Sequence, residues 1–230
     1  MLLLVLDLYY NYGMVIMMRK SRSSFIYKVI RPIVKGLVYL FFRPKVIGKE
    51  NIPKNGPYVL AGNHTKWLDP VMLIGVSGRN QLHFLAKEEM WHGKSWIIVK
   101  AMDCIPVNRK IHDKDALVSA YNYLNDGKCI GIFPEGTINR TNDIIMPFKI
   151  GAVKMCKETN ALLVPFVITG KYKWFGKGIT IEFLKPRRVT EYLTLENDRL
   201  MECISDKLSE NLVGEAKRIN KKRGKKNGKK

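Results

Sequence analysis

Short apolar runs that stop at polar, glycine-bearing loops recur through the middle of this chain and limit the folds open to it. Tyr58–Ala61, Leu82–Ala86, Cys104–Val107, Cys129–Phe133 and Leu162–Ile168 each read as a buried strand. Helix-like segments lie between them. Val71–Val76 is one, and the amphipathic Asp113–Leu124, closed by Asn125-Asp126-Gly127, is another. Strands alternating with helices imply an α/β domain, and 230 residues suit one such domain with terminal additions. Pro165 interrupts its run, which places it at a strand edge, end or bulge because it lacks an N–H for the ladder.

Folds of this class gather their chemistry in the loops at strand ends, so the residues there are the candidates. The first run delivers Gly62-Asn63-His64-Thr65-Lys66-Trp67-Leu68-Asp69-Pro70. Histidine ordinarily titrates close to neutral pH, and a carboxylate on its second nitrogen would fix the tautomer. Five residues do not bring His64 and Asp69 together on one regular helix, but a turn running into a helix does. The pair would then be a general base with its orienting acid, needing no protein nucleophile if the substrate supplies a hydroxyl. The plainer alternative is a helix-capping carboxylate and a loop histidine.

Three further strand ends carry candidates. Lys87 stands where Leu82–Ala86 gives way to an acid-led helix start, and it could meet an anion or simply be solvated. Arg109 lies just past Cys104–Val107 and suits a bidentate phosphate clamp. Glu135 and Gly136 follow Cys129–Phe133, where a carboxylate beside a close-approach glycine suits substrate hydroxyl contacts and loop shaping. Trp91, Trp96, Ile97, Ile98 and Met102 read as a packed face.

The net charge of +20, from 40 Lys and Arg against 20 Asp and Glu, asks for an anionic partner such as a lipid surface, a phosphorylated substrate or nucleic acid. Cys104, Cys129, Cys156 and Cys203 are too scattered for a metal site or a disulfide framework, so reduced thiols in a cytosol-facing protein are expected. Neither a Walker loop, a His-Glu-x-x-His pair nor a Gly-x-Ser-x-Gly elbow occurs. The first eighteen residues are mostly apolar but carry Asp7, and they read as a short anchor or interfacial helix, whose carboxyl end would face the cytoplasm if it spans. Ile26, Val29, Ile30, Ile33, Leu37, Leu40 and Phe41 then recur at helical spacing, with Lys28, Arg31 and Lys35 opposite and Pro32 as a kink or a fresh start. Residues 1–42 are therefore expected to be membrane-docking helices, 43–216 a catalytic domain and 217–230 a disordered basic tail. The tail has no aromatic residue to stack on bases, so a membrane surface is preferred to nucleic acid as its partner.

Taken together, Asn63-His64-x4-Asp69, Ile105-Pro106-Val107-Asn108-Arg109, Phe133-Pro134-Glu135-Gly136-Thr137 and Val164-Pro165-Phe166 resemble, in order and spacing, the four motifs of the lysophosphatidic acid acyltransferase family. The resemblance runs from about Val46 to Phe183. It implies the glycerolipid acyltransferase fold: a mixed, largely parallel sheet flanked by helices, with an amino-terminal docking element at the membrane. It further implies acyl transfer from acyl-CoA or acyl-acyl carrier protein to a lysophospholipid acceptor, without metal, cofactor or acyl-enzyme. His64 would be the base and Asp69 its orienting partner, while Asn63, Lys87, Arg109, Glu135, Gly136, Thr137, Arg140 and Pro165 would serve substrate binding. The third motif usually continues with an arginine thought to hold the acceptor phosphate, and here Ile138 takes that position. Arg140 or Lys149 would substitute for it, or the acceptor is a different lysophospholipid. A catalytically silent lipid-binding module on the same fold is the reading from another class. Asp103, standing where the family usually has a small residue, has no account from sequence.

Overall fold

The computed structural model describes residues 27–78, 81–93, 96–108 and 113–227. The strands are β1 (Lys45–Ile47), β2 (Tyr58–Gly62), β3 (Leu82–Lys87), β4 (Ile105–Val107), β5 (Cys129–Ile132), β6 (Leu162–Gly170) and β7 (Ile179–Phe183). The helices are α1 (residues 27–41), α2 (Asp69–Val76), α3 (Trp96–Ala101), α4 (Lys114–Asn125), α5 (Gly151–Thr159) and α6 (Leu193–Asn227). One sheet holds all seven strands in the order β1-β7-β6-β2-β5-β3-β4. Every neighbouring pair is parallel except β6 with β7, so the sheet is mixed and largely parallel, as the family resemblance implies.

Strand pleating splits the apolar residues into two layers. Tyr58 and Leu60 of β2, with Val164, Phe166 and Ile168 of β6, join a core that α1 and α2 cover. Val59, Ala61, Leu163 and Val167 face the other way, into a core shared with α4, α5 and α6. Both faces are buried, which is why these strands read as unbroken apolar runs instead of alternating ones. Strands β2, β3, β4, β5 and β6 point the same way, so the loops following them share one end of the sheet.

Several expectations need correction. Strand β6 lies inside the sheet, and Pro165 sits mid-strand opposite Ala61 of β2. Its carbonyl accepts from the N–H of Leu184, just past β7, so the missing N–H falls where the β7 ladder has ended. The segment before Tyr58 contains β1, an edge strand too short to show a pattern in the sequence. Lys87 belongs to β3, and Glu88–Trp91 forms only a 3-10 turn. Helix α1 runs on through Pro32, and Arg31 is half-buried beside the core-facing Tyr27, leaving Lys28 and Lys35 as the exposed bases. Val29, Ile33, Leu37 and Leu40 are exposed as a separate apolar stripe, while Tyr27, Val38 and Phe42 dock on the core. The proposed anchor before residue 27 lies outside the described residues, and among those described no helix is long and apolar enough to cross a membrane. Trp96, Ile97 and Ile98 are exposed as well, and in six-residue α3 Val99 is buried instead. The basic tail is not irregular: α6 continues to Asn227, as Lys and Arg propagate a helix well once its first half is packed.

Asp103 also gains a role. It takes a left-handed turn at φ 48, accepts the Tyr123 hydroxyl at 3.2 Å and stands 3.4 Å from Nδ1 of His83, which is fully buried. Burial pushes the His83 pKa down to about 4, so this imidazole is a neutral core group at physiological pH.

Candidate active site

The loop after β2 folds back so that the amino end of α2 meets the strand end. Asp69 begins α2, with Pro70 beside it in the first turn, a position where proline's lost N–H costs nothing. Its buried carboxylate gathers the loop around itself. Oδ2 accepts from the N–H of Thr65 at 2.6 Å, the N–H of Lys66 at 2.8 Å and Nδ1 of His64 at 2.8 Å. Oδ1 accepts from Thr65 Oγ1 at 3.1 Å and from the hydroxyl of Tyr172. Since the carboxylate accepts a hydrogen bond from Nδ1–H, the lone pair of His64 is at Nε2. The imidazole stacks on Phe133 with ring centroids 4.0 Å apart, so its plane is fixed from two directions. Burial and the Asp69 charge push the Tyr172 pKa up, which keeps that hydroxyl a donor.

Asn63 and Glu135 act on the backbone. Asn63 is buried and exchanges two hydrogen bonds with Ile168, donating to its carbonyl at 2.9 Å and accepting from its N–H at 2.8 Å. This continues the β2–β6 pairing past the strand and sets where His64 begins. Glu135, also buried, accepts from the N–H of His64 at 2.7 Å and from that of Met146 at 3.0 Å. Desolvation raises its pKa. Its oxygens shape the loops, and neither Glu135 nor Asn63 lines the cavity. Pro165 is buried in β6, likewise away from the cavity.

That cavity, of about 550 Å³, opens beside His64. Val71, Phe84, Val99, Met102, Ile132 and Phe133 give it apolar walls, and exposed Lys87, Arg140 and Lys149 supply positive charge to the lining. Gly136, Thr137 and Ile138 line it too. Gly136 has φ 74, and a Cβ there would approach Lys149 Cε to 2.9 Å, so glycine is what lets Lys149 lie over the turn. Among the described lining residues Thr137 and Cys104 carry the only hydroxyl and thiol, and burial pushes the Cys104 pKa up to about 12, far from a thiolate. Arg109 lies outside the described residues.

The structure therefore brings His64, Asp69, Lys87, Gly136, Thr137 and Arg140 to one strand-end cleft, with Lys149 added. Sequence reasoning missed Tyr172 and Phe133 as partners of the His64–Asp69 pair. Tyr172 carries no motif and stands 103 positions from Asp69, so only the parallel β2–β6 pairing reveals it.

An α/β sheet with a histidine–carboxylate pair over an apolar, cation-bearing cleft is the frame of an acyl-transfer protein, and the comparisons agree. The Acyltransferase family profile matches residues 43–169, and the chain belongs to that family; it is an acyltransferase. It is similar to the 1-acyl-sn-glycerol-3-phosphate acyltransferase of Bacillus subtilis, 33% identical over 147 residues, which make up 63% of this chain and 71% of the relative. The Borreliella burgdorferi protein of the same name is 34% identical over 137 residues, 58% of this chain and 54% of that one. A human relative, 1-acyl-sn-glycerol-3-phosphate acyltransferase alpha, is 27% identical over 154 residues, 65% of this chain and 54% of that one. The chain thus matches most of the first relative and about half the length of the others. In fold it is similar to the crystal structure of the 1-acyl-sn-glycerophosphate (LPA) acyltransferase PlsC from Thermotoga maritima, with a TM-score of 0.66 and 19% identity across 87% of this chain and 88% of that one.

Proposed function

We propose that this protein transfers a fatty acyl group from a thioester, acyl-CoA or acyl-acyl carrier protein, to the sn-2 hydroxyl of lysophosphatidic acid, giving phosphatidic acid. The observation that carries the reading is the 2.8 Å contact of His64 with buried Asp69, beside an apolar cavity lined by Lys87, Arg140 and Lys149. His64 Nε2 takes the hydroxyl proton as the oxygen attacks the thioester carbonyl. The tetrahedral intermediate then breaks its C–S bond, and the proton passes to the departing thiolate. Asp69 holds the tautomer and stabilises the transient imidazolium. The apolar walls suit an acyl chain, and the cations suit the acceptor phosphate, with Arg109 a further candidate from its place in the sequence.

Residues 43–216 form the catalytic unit in this reading, and the segment before them holds the protein at the cytoplasmic face of the cell membrane. The test is labelled acyl donor with vesicle-borne lysophosphatidic acid, followed by lipid separation. Labelled phosphatidic acid with the wild type and none with folded His64→Ala is the expected result. Ile138 in the cavity lining favours one second reading, an acceptor without a terminal phosphate. Faster turnover of a neutral-headgroup lysolipid in the same assay would replace the first reading with that one.

A further inference from the structure

The β6–β7 connection alternates cations with rings: Lys171-Tyr172-Lys173-Trp174-Phe175-Gly176-Lys177-Gly178. Its base is closed, for the N–H of Lys171 donates to the Gly178 carbonyl at 2.9 Å, and a Cβ on Gly178 would stand 2.2 Å from the Lys171 carbonyl oxygen. Only glycine permits that approach. At the tip, the N–H of Gly176 donates to the Lys173 carbonyl at 3.2 Å, and Phe175 takes φ 56, a region bulky L residues disfavour.

Trp174 is 69% exposed and Phe175 62% exposed. They are nonetheless held in place. Trp174 packs against Phe41 and Phe42 with centroids 5.5 and 5.2 Å apart, and Phe175 against Phe41 at 5.1 Å. Phe41 lies one helical turn beyond Leu37, so the ring pair extends the exposed stripe of Val29, Ile33, Leu37 and Leu40 on α1. Lys171, Lys173 and Lys177 are exposed around it. A supported but uncovered Trp–Phe pair set among lysines matches the interfacial zone of a bilayer, where aromatic rings sit at headgroup depth and cations meet anionic lipid.

We propose that the β6–β7 loop is a second membrane-contact element, continuous with the apolar stripe of α1. Trp174 and Phe175 enter the headgroup layer of an anionic bilayer, and Lys171, Lys173 and Lys177 meet its phosphates. The proposal draws on the acyl-transfer reading for its purpose, since a lipid acceptor lies in that bilayer. Tyr172, inside the same loop, touches Asp69, so the contact places the bilayer surface beside the reacting pair. An acidic protein could also cover an aromatic patch. The continuity with an apolar helix stripe and the +20 charge of the chain favour the lipid surface.

The test uses the full chain and vesicles of phosphatidylglycerol with phosphatidylcholine, containing neither donor nor acceptor, so its outcome does not depend on the acyl-transfer reading. The expected result is a vesicle affinity about tenfold weaker for Trp174→Ser/Phe175→Ser and for Lys173→Glu/Lys177→Glu. The charge variant alters only exposed side chains and carries the test if the aromatic variant fails to fold. Turnover should fall on vesicle-borne acceptor and hold on a short-chain acceptor dispersed as monomers. Vesicle affinity within about twofold of wild type in a folded variant overturns the proposal. Equal loss of turnover on both presentations, with vesicle binding intact, also overturns it, because the loop would then act through Tyr172 on Asp69. Loss of binding to an acidic carrier protein, with vesicle affinity kept, assigns the patch to a protein and overturns it as well.

Discussion

Replacing Tyr172 with phenylalanine removes one oxygen and leaves the ring packed on Phe42, where the centroids are 5.6 Å apart. The oxygen lost is a donor to Oδ1 of Asp69, a carboxylate with no exposed surface. A hydrogen bond to a charged group contributes roughly 1.5–3 kcal/mol. Oδ1 keeps Thr65 Oγ1 at 3.1 Å, and Oδ2 keeps His64 Nδ1 and the N–H groups of Thr65 and Lys66, which puts the expected loss at the lower end, about 1.5–2 kcal/mol. Most of it should appear at the imidazole, because a carboxylate released on one side can rotate away from Nδ1. We expect kcat to fall about tenfold, corresponding to about 1.4 kcal/mol of barrier. KM for donor and acceptor should not change, since Tyr172 does not line the cavity. Initial rates with labelled donor, beside urea denaturation of the same preparations, separate the two effects. A folded Tyr172→Phe protein with kcat within about twofold of wild type would refute this reasoning. A raised KM would place the hydroxyl at the substrate instead.

Removing the reacting pair should act far more strongly. Folded His64→Ala and Asp69→Asn are each expected to lose on the order of 10²–10⁴ in kcat in the same assay, and near-normal turnover in either would exclude the general-base mechanism. Lys149→Ala should cost about 1.5–3 kcal/mol in kcat/KM for lysophosphatidic acid and little for a neutral-headgroup acceptor, which a two-acceptor comparison measures directly. His83 predicts a stability effect. Its pKa is depressed to about 4 in the fold, so unfolding takes up a proton below its ordinary value near 6.5. The contribution is present above that value and is lost as pH falls toward 4, on the order of 3 kcal/mol in all. Urea midpoints of wild type and His83→Gln at neutral and mildly acid pH should converge on acidification, and parallel curves would show that His83 is not the titrating group.

The strands and the contact of His64 with Asp69 are legible in the sequence for one physical reason. Burial on both sheet faces makes β2, β5 and β6 into apolar runs, and chemistry must follow where they stop. What stayed hidden depends on pairing across the chain. Asn63 looked like a substrate ligand, yet its amide completes a ladder with Ile168, a residue 105 positions away. Glu135 looked open to a hydroxyl, and both its oxygens hold backbone N–H groups. Tyr172 lay outside every motif. Pro165 is read from its missing N–H as an edge, end or bulge residue and from the resemblance as a substrate contact, and only the register with β7 shows that an interior strand tolerates it there. The exposed side of α3 was misread because helical spacing reports a shared face and not what covers it.

The exchange at Ile138 can now be weighed against the loop that carries it. That loop is tied to the β2 strand end by the Glu135 carboxylate on the N–H of His64 and by the N–H of Asn139 on the His64 carbonyl, at 2.9 Å. Its far side is tied by the N–H of Lys149 on the Pro134 carbonyl, also at 2.9 Å. None of these bonds involves the side chain at 138, so isoleucine there leaves His64 in position. It removes a possible cation from the cavity lining, while Arg140 and Lys149 of the same loop still line the cavity. Backbone ties thus hold this loop and His64 whatever side chain stands at 138, and a change there alters the cavity lining without disturbing them.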